Sequence, residues 1–209
     1  MFLTQLKMSA QDLLDLNVKN FKDDYSIHKI VYSLFLKEDG NRILYVDKGF
    51  RKEYRVLWIL SQTEPQISFG EFETRSVSED FLNHKRYTFE ILLNPVKKSK
   101  ELGKLVPVRA PSKEDRKNQP EKDDLLDWFR QKAGQNGFAP GPDLQYIVKP
   151  VQMFSQKDHK EQTVFHNKVQ FSGTLTVTDP ERFRSAFENG IGKAKAFGFG
   201  LLQLVPIFD

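Results

Sequence analysis

The chain has 209 residues, 32 Lys and Arg against 28 Asp and Glu, a formal net charge of +4 and an apolar fraction of 39%. That length buries a real core as one large or two small domains, and the mild basic excess permits a nucleic-acid partner without specifying one. The absence of cysteine excludes disulfides, thiolate nucleophiles and cysteine-ligated zinc. No apolar run approaches the ~18 residues of a membrane span, and the first residues lack a basic-then-apolar leader, so a cytoplasmic protein without a membrane partner is expected.

In chain order, residues 1–8 set Phe2, Leu3, Leu6 and Met8 among polar neighbours, the pattern of a first strand. Residues 10–18 form a short helix or apolar turn. From Asp24 to Phe35 the residues Ile27, Ile30, Val31 and Leu34 recur at spacings of three and four, which predicts a helix with one buried face. Asp39-Gly40-Asn41 is a turn, residues 43–46 and 55–60 are strands, and an extended piece over 69–77 completes the first half.

The second half opens near Arg86 with a strand over 87–93, ended by Asn94-Pro95. Residues 97–117 then hold eight cations (Lys97, Lys98, Lys100, Lys104, Arg109, Lys113, Arg116 and Lys117) against three carboxylates, with a short strand over 105–109. This local excess of five exceeds the charge of the whole chain. Such a one-signed stripe is the electrostatic footprint of a phosphate-backbone reader, although a solvated loop is the plain alternative. A helix over 125–132, capped by Asp123 or Asp124, precedes strands over 144–154 and 162–177, a hairpin turning at 157–160. Each half is thus an α+β unit, residues 1–85 and 86–209, and a β-α-β-β-α-β plan suits the second more clearly.

The chain closes with Asp179 as N-cap, Pro180 in the first turn, and Phe183 and Phe187 on one face of a helix. Gly190-Ile191-Gly192-Lys193-Ala194-Lys195-Ala196-Phe197-Gly198-Phe199-Gly200 follows, and 199–208 is apolar enough for a buried strand. The order helix, glycine loop, strand fits neither a dinucleotide fingerprint nor a P-loop. Two readings remain. The loop presents N–H groups of Gly190, Gly192, Gly198 and Gly200 with Lys193 and Lys195 to phosphate oxygens, or it is a helix cap and tight strand entry.

Among the four histidines, His28, His84, His159 and His166, none has metal-binding spacing, and no nucleophile elbow exists. His28 shares a helix face with Tyr25, three residues earlier. On spacing alone that pair is more often half-buried surface than catalytic. His159 and His166 fall on the hairpin as surface residues or, at most, RNA contacts, and His84 falls in a loop between the halves.

The pattern Gly-apolar-Gly, five residues, Gly-apolar-Gly with a basic residue inside resembles the signature loop of the CRISPR repeat-cutting endoribonucleases, nearest to the CasE type of type I-E Cascade. MFLTQLKM resembles the family's first strand, Tyr25-Ser26-Ile27-His28 its Tyr-x-x-His pair, and Asn94-Pro95-Val96-Lys97 its Asn-Pro-x-Lys turn. Asp179-Pro180-Glu181-Arg182 leads into the loop. The family carries several arginines before the Asn-Pro turn, where this chain has Phe89-Glu90-Ile91-Leu92-Leu93.

The resemblance implies two tandem ferredoxin-like (RRM-like) domains and cutting of precursor RNA at the base of a repeat hairpin, without metal or other cofactor. The ribose 2′-OH would attack, leaving a 2′,3′-cyclic (or 3′) phosphate and a 5′-OH, with His28 as general base or acid and Tyr25 orienting the nucleophile. It implies CRISPR repeat RNA, the retained crRNA and other Cascade subunits as partners. Candidate RNA contacts are Lys29, Lys97, Lys98, Lys100, Lys104, Arg109, Lys113, Gly190, Gly192, Lys193, Lys195, Gly198 and Gly200. A catalytically silent RNA-binding scaffold is the alternative.

Overall fold

A computed structural model describes residues 1–16, 24–36, 41–66, 69–119, 121–156 and 162–208; for 24, 25, 151–156 and 162–165 it describes the backbone alone. The expected hairpin turn at 157–160, with His159, lies outside the described residues.

The first half contains β1 (Phe2–Met8), α1 (Ala10–Asp15), α2 (Asp24–Ser33), β2 (Ile43–Arg51), β3 (Tyr54–Ser61) and β4 (Glu71–Ser76). The strands form one antiparallel sheet in the order β2-β3-β1-β4, with Leu6 opposite Leu57 and Phe72. Alternation along β1 turns Leu6 and Met8 inward. There they meet the i, i+3, i+4 face of α2, and Ile27, Val31 and Leu34 pack with Leu13, Tyr45, Leu57 and Ile59. Among the described residues no helix joins β3 to β4, so this half is a ferredoxin plan with its second crossover shortened.

The second half contains β5 (Arg86–Leu93), β6 (Val96–Lys98), β7 (Leu105–Pro107), α3 (Lys113–Asn118), α4 (Asp124–Gln135), β8 (Phe138–Pro140), β9 (Gln145–Gln156), β10 (Gln162–Val177), α5 (Pro180–Asn189) and β11 (Gln203–Pro206). Its sheet runs β11-β5-β10-β8, with β9 also paired to β10. Asp123 caps α4 by accepting from the Leu125 and Leu126 amides, and Asp179 caps α5. The core is aromatic. Phe129 stacks on Phe171 at 4.4 Å and on Phe89 at 5.6 Å, and Phe138 meets Phe183 edge-on. The β-α-β-β-α-β course and strand order are those of a second ferredoxin-like unit.

Two expectations need correction. The apolar stretch 199–208 pairs as a strand only over Gln203–Pro206; Phe199, Leu201 and Leu202 are buried outside the ladder. Positive φ at Gly198 and Gly200, +81° and +88°, takes the backbone out of strand geometry there. The basic stretch is more ordered than a loop with one strand. It folds as the hairpin β6–β7 followed by α3, whose start carries a Ser112–Asp115 capping box.

The two sheets share one core. Leu44, Val46 and Leu60 of the first half join Leu92, Leu93, Ile191 and Leu202 of the second. Lys48 on β2 bonds Glu90 on β5 and, at 3.0 Å, Gln203 on β11. Arg42 donates to Asn189 at the end of α5. The glycine loop lies in this seam.

Candidate active site

His28 occupies the second described turn of α2, held in place because its helix neighbours Ile27, Ile30 and Val31 are buried against the first sheet. From there its side chain crosses the seam. Nδ1 lies 2.7 Å from the carbonyl oxygen of Ala196, within the short 3-10 turn Lys195–Phe197 of the glycine loop. A carbonyl can only accept, so Nδ1 carries the proton and the lone pair of the neutral ring is on Nε2. The Tyr45 hydroxyl of β2 donates to the same Ala196 oxygen at 3.1 Å. Two side chains of the first half therefore grip one carbonyl of the second.

Aromatic rings lie against His28. Tyr32 lies 4.3 Å away between centroids and Phe197 5.9 Å. Phe197 also meets His166 at 5.4 Å. Burial lowers the His28 pKa below the ordinary histidine value; the Ala196 carbonyl opposes the shift and the neighbouring Lys29 charge adds to it. Burial likewise lowers His166, with help from Lys168. Both rings are thus biased toward the neutral form.

Several amides of the glycine loop bond backbone carbonyls of the protein itself. The N–H of Gly190 bonds Ala186, that of Ile191 bonds Gly200, that of Gly198 bonds Lys195 and that of Gly200 bonds Leu92, at 2.9–3.2 Å. Its glycines are needed for close approach. A Cβ at Gly200 would stand 2.5 Å from the Ile191 oxygen, and one at Gly190 2.8 Å from the Leu44 side chain across the seam. Of the two sequence readings, the cap and tight entry describes these amides.

Of the loop lysines, Lys193 is exposed. Lys195 turns back to donate 2.7 Å to the Asn189 carbonyl at the end of α5. Burial lowers its pKa, and the nearby charges of Arg42 and Lys193 lower it further. Lys29, next to His28 in the chain, is exposed; Lys97, Lys98, Lys100 and Lys104 are exposed on the β6–β7 hairpin, Arg109 on the segment after it and Lys113 at the start of α3. Lys97 approaches Asp124 at 3.8 Å.

Tyr25 belongs to the first turn of α2, and its side chain is outside the described residues. His166, expected at the surface, is only 8% exposed. It precedes a shift in the β9–β10 register and packs against Phe197 and Phe199. His84 sits between the halves as expected, edge-on to Phe208. Sequence reasoning missed Tyr32, Tyr45, Phe197 and the burial of His166. Only Tyr32 carried a signal, its i+4 spacing from His28. Among the described residues no group of three or more His, Asp and Glu converges as metal ligands, and no helix is long and apolar enough to cross a membrane.

Residues 1–206 match the model of a family described as CRISPR associated protein. The chain belongs to that family. Its likeness to individual members spans the whole fold. It is 24% identical over 206 residues to the CRISPR-associated endoribonuclease Cse3 of Thermus thermophilus, covering 90% of this chain and 92% of that protein. The solved structure of a Cse3 endoribonuclease bound to a 19-nucleotide RNA superposes with a TM-score of 0.77 at 23% identity, covering 99% of this chain and all of the other. Cas6e of Escherichia coli K-12 superposes with a TM-score of 0.68 at 22% identity, with the same coverage. These family members share the tandem ferredoxin-like fold described above, and the CasE-type resemblance of the sequence motifs agrees with them.

Proposed function

We propose that this protein is a metal-independent endoribonuclease that binds CRISPR repeat hairpins in precursor RNA and cuts at the base of the stem. The single observation that carries the reading is His28 held at 2.7 Å by the glycine loop, which fixes the tautomer and poises Nε2 as a base. A lowered pKa keeps the imidazole neutral at pH 7, the form that accepts a proton. His28 takes the proton of the ribose 2′-OH upstream of the scissile phosphate. The oxygen attacks phosphorus, the P–O5′ bond breaks, the leaving O5′ takes a proton from solvent water, and a 2′,3′-cyclic phosphate and a 5′-OH result. Tyr25, one helical turn before His28, orients the nucleophile. Lys29 and Lys193 are the exposed cations nearest in sequence to His28 and to its Ala196 anchor, suited to balance phosphate charge.

Residues 1–85 supply Tyr25 and His28, and residues 86–209 supply the basic hairpin and the glycine loop. The exposed cations from Lys97 to Lys113 grip the A-form stem through its phosphates, since the deep major groove of RNA hides its base edges. Solved relatives include a Cse3 bound to an RNA representing a pre-cleavage complex and a CRISPR RNA-guided surveillance complex. By that likeness the protein retains its crRNA within Cascade, in the cytoplasm.

The test is single-turnover cleavage of the cognate repeat hairpin by wild-type and His28→Ala protein, with binding measured in parallel. Loss of cleavage by about 10²–10⁴-fold with binding retained is expected. Binding without cleavage by the wild type would instead make the protein an RNA-binding scaffold.

A further inference from the structure

We propose that Tyr32 is a positioning residue for His28, its ring setting the orientation and water exposure of the imidazole. The inference rests on the endoribonuclease reading above. The hydrogen bond from Nδ1 to Ala196 fixes one atom of the His28 ring, and packing against the faces of the ring constrains its plane. Tyr32 supplies such a contact: four residues along α2, it lies on the same helix face, with ring centroids 4.3 Å apart and planes inclined by 45°.

Core packing does not explain an aromatic residue at this position. The buried face of α2 is made by Ile27, Ile30 and Val31, with Leu34 just past its end, whereas Tyr32 is 40% exposed. Its ring is instead turned to His28, one turn away. Burial raises the Tyr32 phenol above its ordinary pKa, so at neutral pH the side chain adds bulk and no charge beside the base. The ring also shields the imidazole from water, and burial is the leading cause of the lowered His28 pKa.

The experiment compares wild type, Tyr32→Phe, Tyr32→Leu and His28→Ala in single-turnover cleavage of the repeat hairpin across pH 5–8, with hairpin affinity measured for each. Tyr32→Phe keeps the ring and should cleave within about twofold of wild type. Tyr32→Leu should bind equally well and cleave about tenfold or more slowly, a part of what acid–base catalysis supplies. Its acid limb should move upward toward the ordinary histidine value of about 6.5. Unchanged rate and pH profile in Tyr32→Leu, while His28→Ala is dead, overturn this inference alone. So does weaker binding with an unchanged rate at saturation, which would mark Tyr32 as a nucleobase contact, or an equal loss in Tyr32→Phe. A fully active His28→Ala sinks the underlying reading and this inference with it.

Discussion

A methyl group on Gly200 would stand 2.5 Å from the Ile191 oxygen, on a backbone with φ of +88°. Gly49 has a similar φ of +72° but nothing within 4 Å of an added Cβ. The pair separates steric contact from backbone preference. Gly49→Ala should cost about 1 kcal/mol from the left-handed conformation alone, and Gly200→Ala about 2–4 kcal/mol, because the loop must also move. Chemical denaturation of the two variants measures the difference, and equal costs would mean that the seam yields freely. At this scale the sequence made His28 visible only through its family resemblance. Spacing alone favoured a surface pair with Tyr25. The meeting of Phe197 with His166 was not legible, because it joins the glycine loop to β10 beside a register shift that no local pattern announces.

Among the elements, the glycine loop and α2 are joined through one carbonyl. Tyr45→Phe removes the hydroxyl that donates to Ala196 while keeping the ring that packs near Gly198. A loss of about 1 kcal/mol in stability is expected, with a slower cleavage step and unchanged hairpin affinity. The opposite pattern belongs to the β6–β7 hairpin. Replacing Lys98 and Lys100 by Gln should weaken hairpin binding, lower the salt slope of log Kd by about 0.7–0.9 for each phosphate no longer neutralised, and leave the saturated cleavage rate alone. A salt slope that does not change would remove these lysines from the RNA interface. The longer strands and helices were legible from alternation and from i, i+3, i+4 spacing, whereas β6 and β8, three residues each, are too short to show a period. Two further features were not legible. The segment 199–202 reads as strand because it is apolar, yet its burial comes from the loop entering the seam. Helix α3 is hidden in a run of charges, being exposed along its length and lacking an apolar face to give it a period.

For the whole molecule, the shared core is the feature that no local reading supplies. Leu44, Val46 and Leu60 pack among residues of the second half, and Lys48 and Arg42 reach across to Glu90 and Asn189. The two units should therefore unfold in one cooperative transition, which coincident transitions by fluorescence and circular dichroism would establish. That transition depends on pH. His28 and His166 both have folded-state pKa values below the ordinary value of about 6.5, so the unfolded chain binds more protons. Their contribution is fully present above pH 6.5 and is lost as pH falls from there through the folded-state values. Midpoints should drop as pH falls below about 6.5, and the drop should shrink in a His166→Gln variant. A drop of equal size in that variant would place the dependence elsewhere.

The central claim is that the RNA provides the nucleophile and His28 the base. Its most direct measurement is single-turnover cleavage, in EDTA, of the repeat hairpin and of the same hairpin with one 2′-deoxy nucleotide upstream of the cut. The ribose substrate should be cut to a 2′,3′-cyclic phosphate, and the deoxy substrate should bind but stay intact. Cleavage of the deoxy substrate, or loss of all cleavage in EDTA, would contradict the claim.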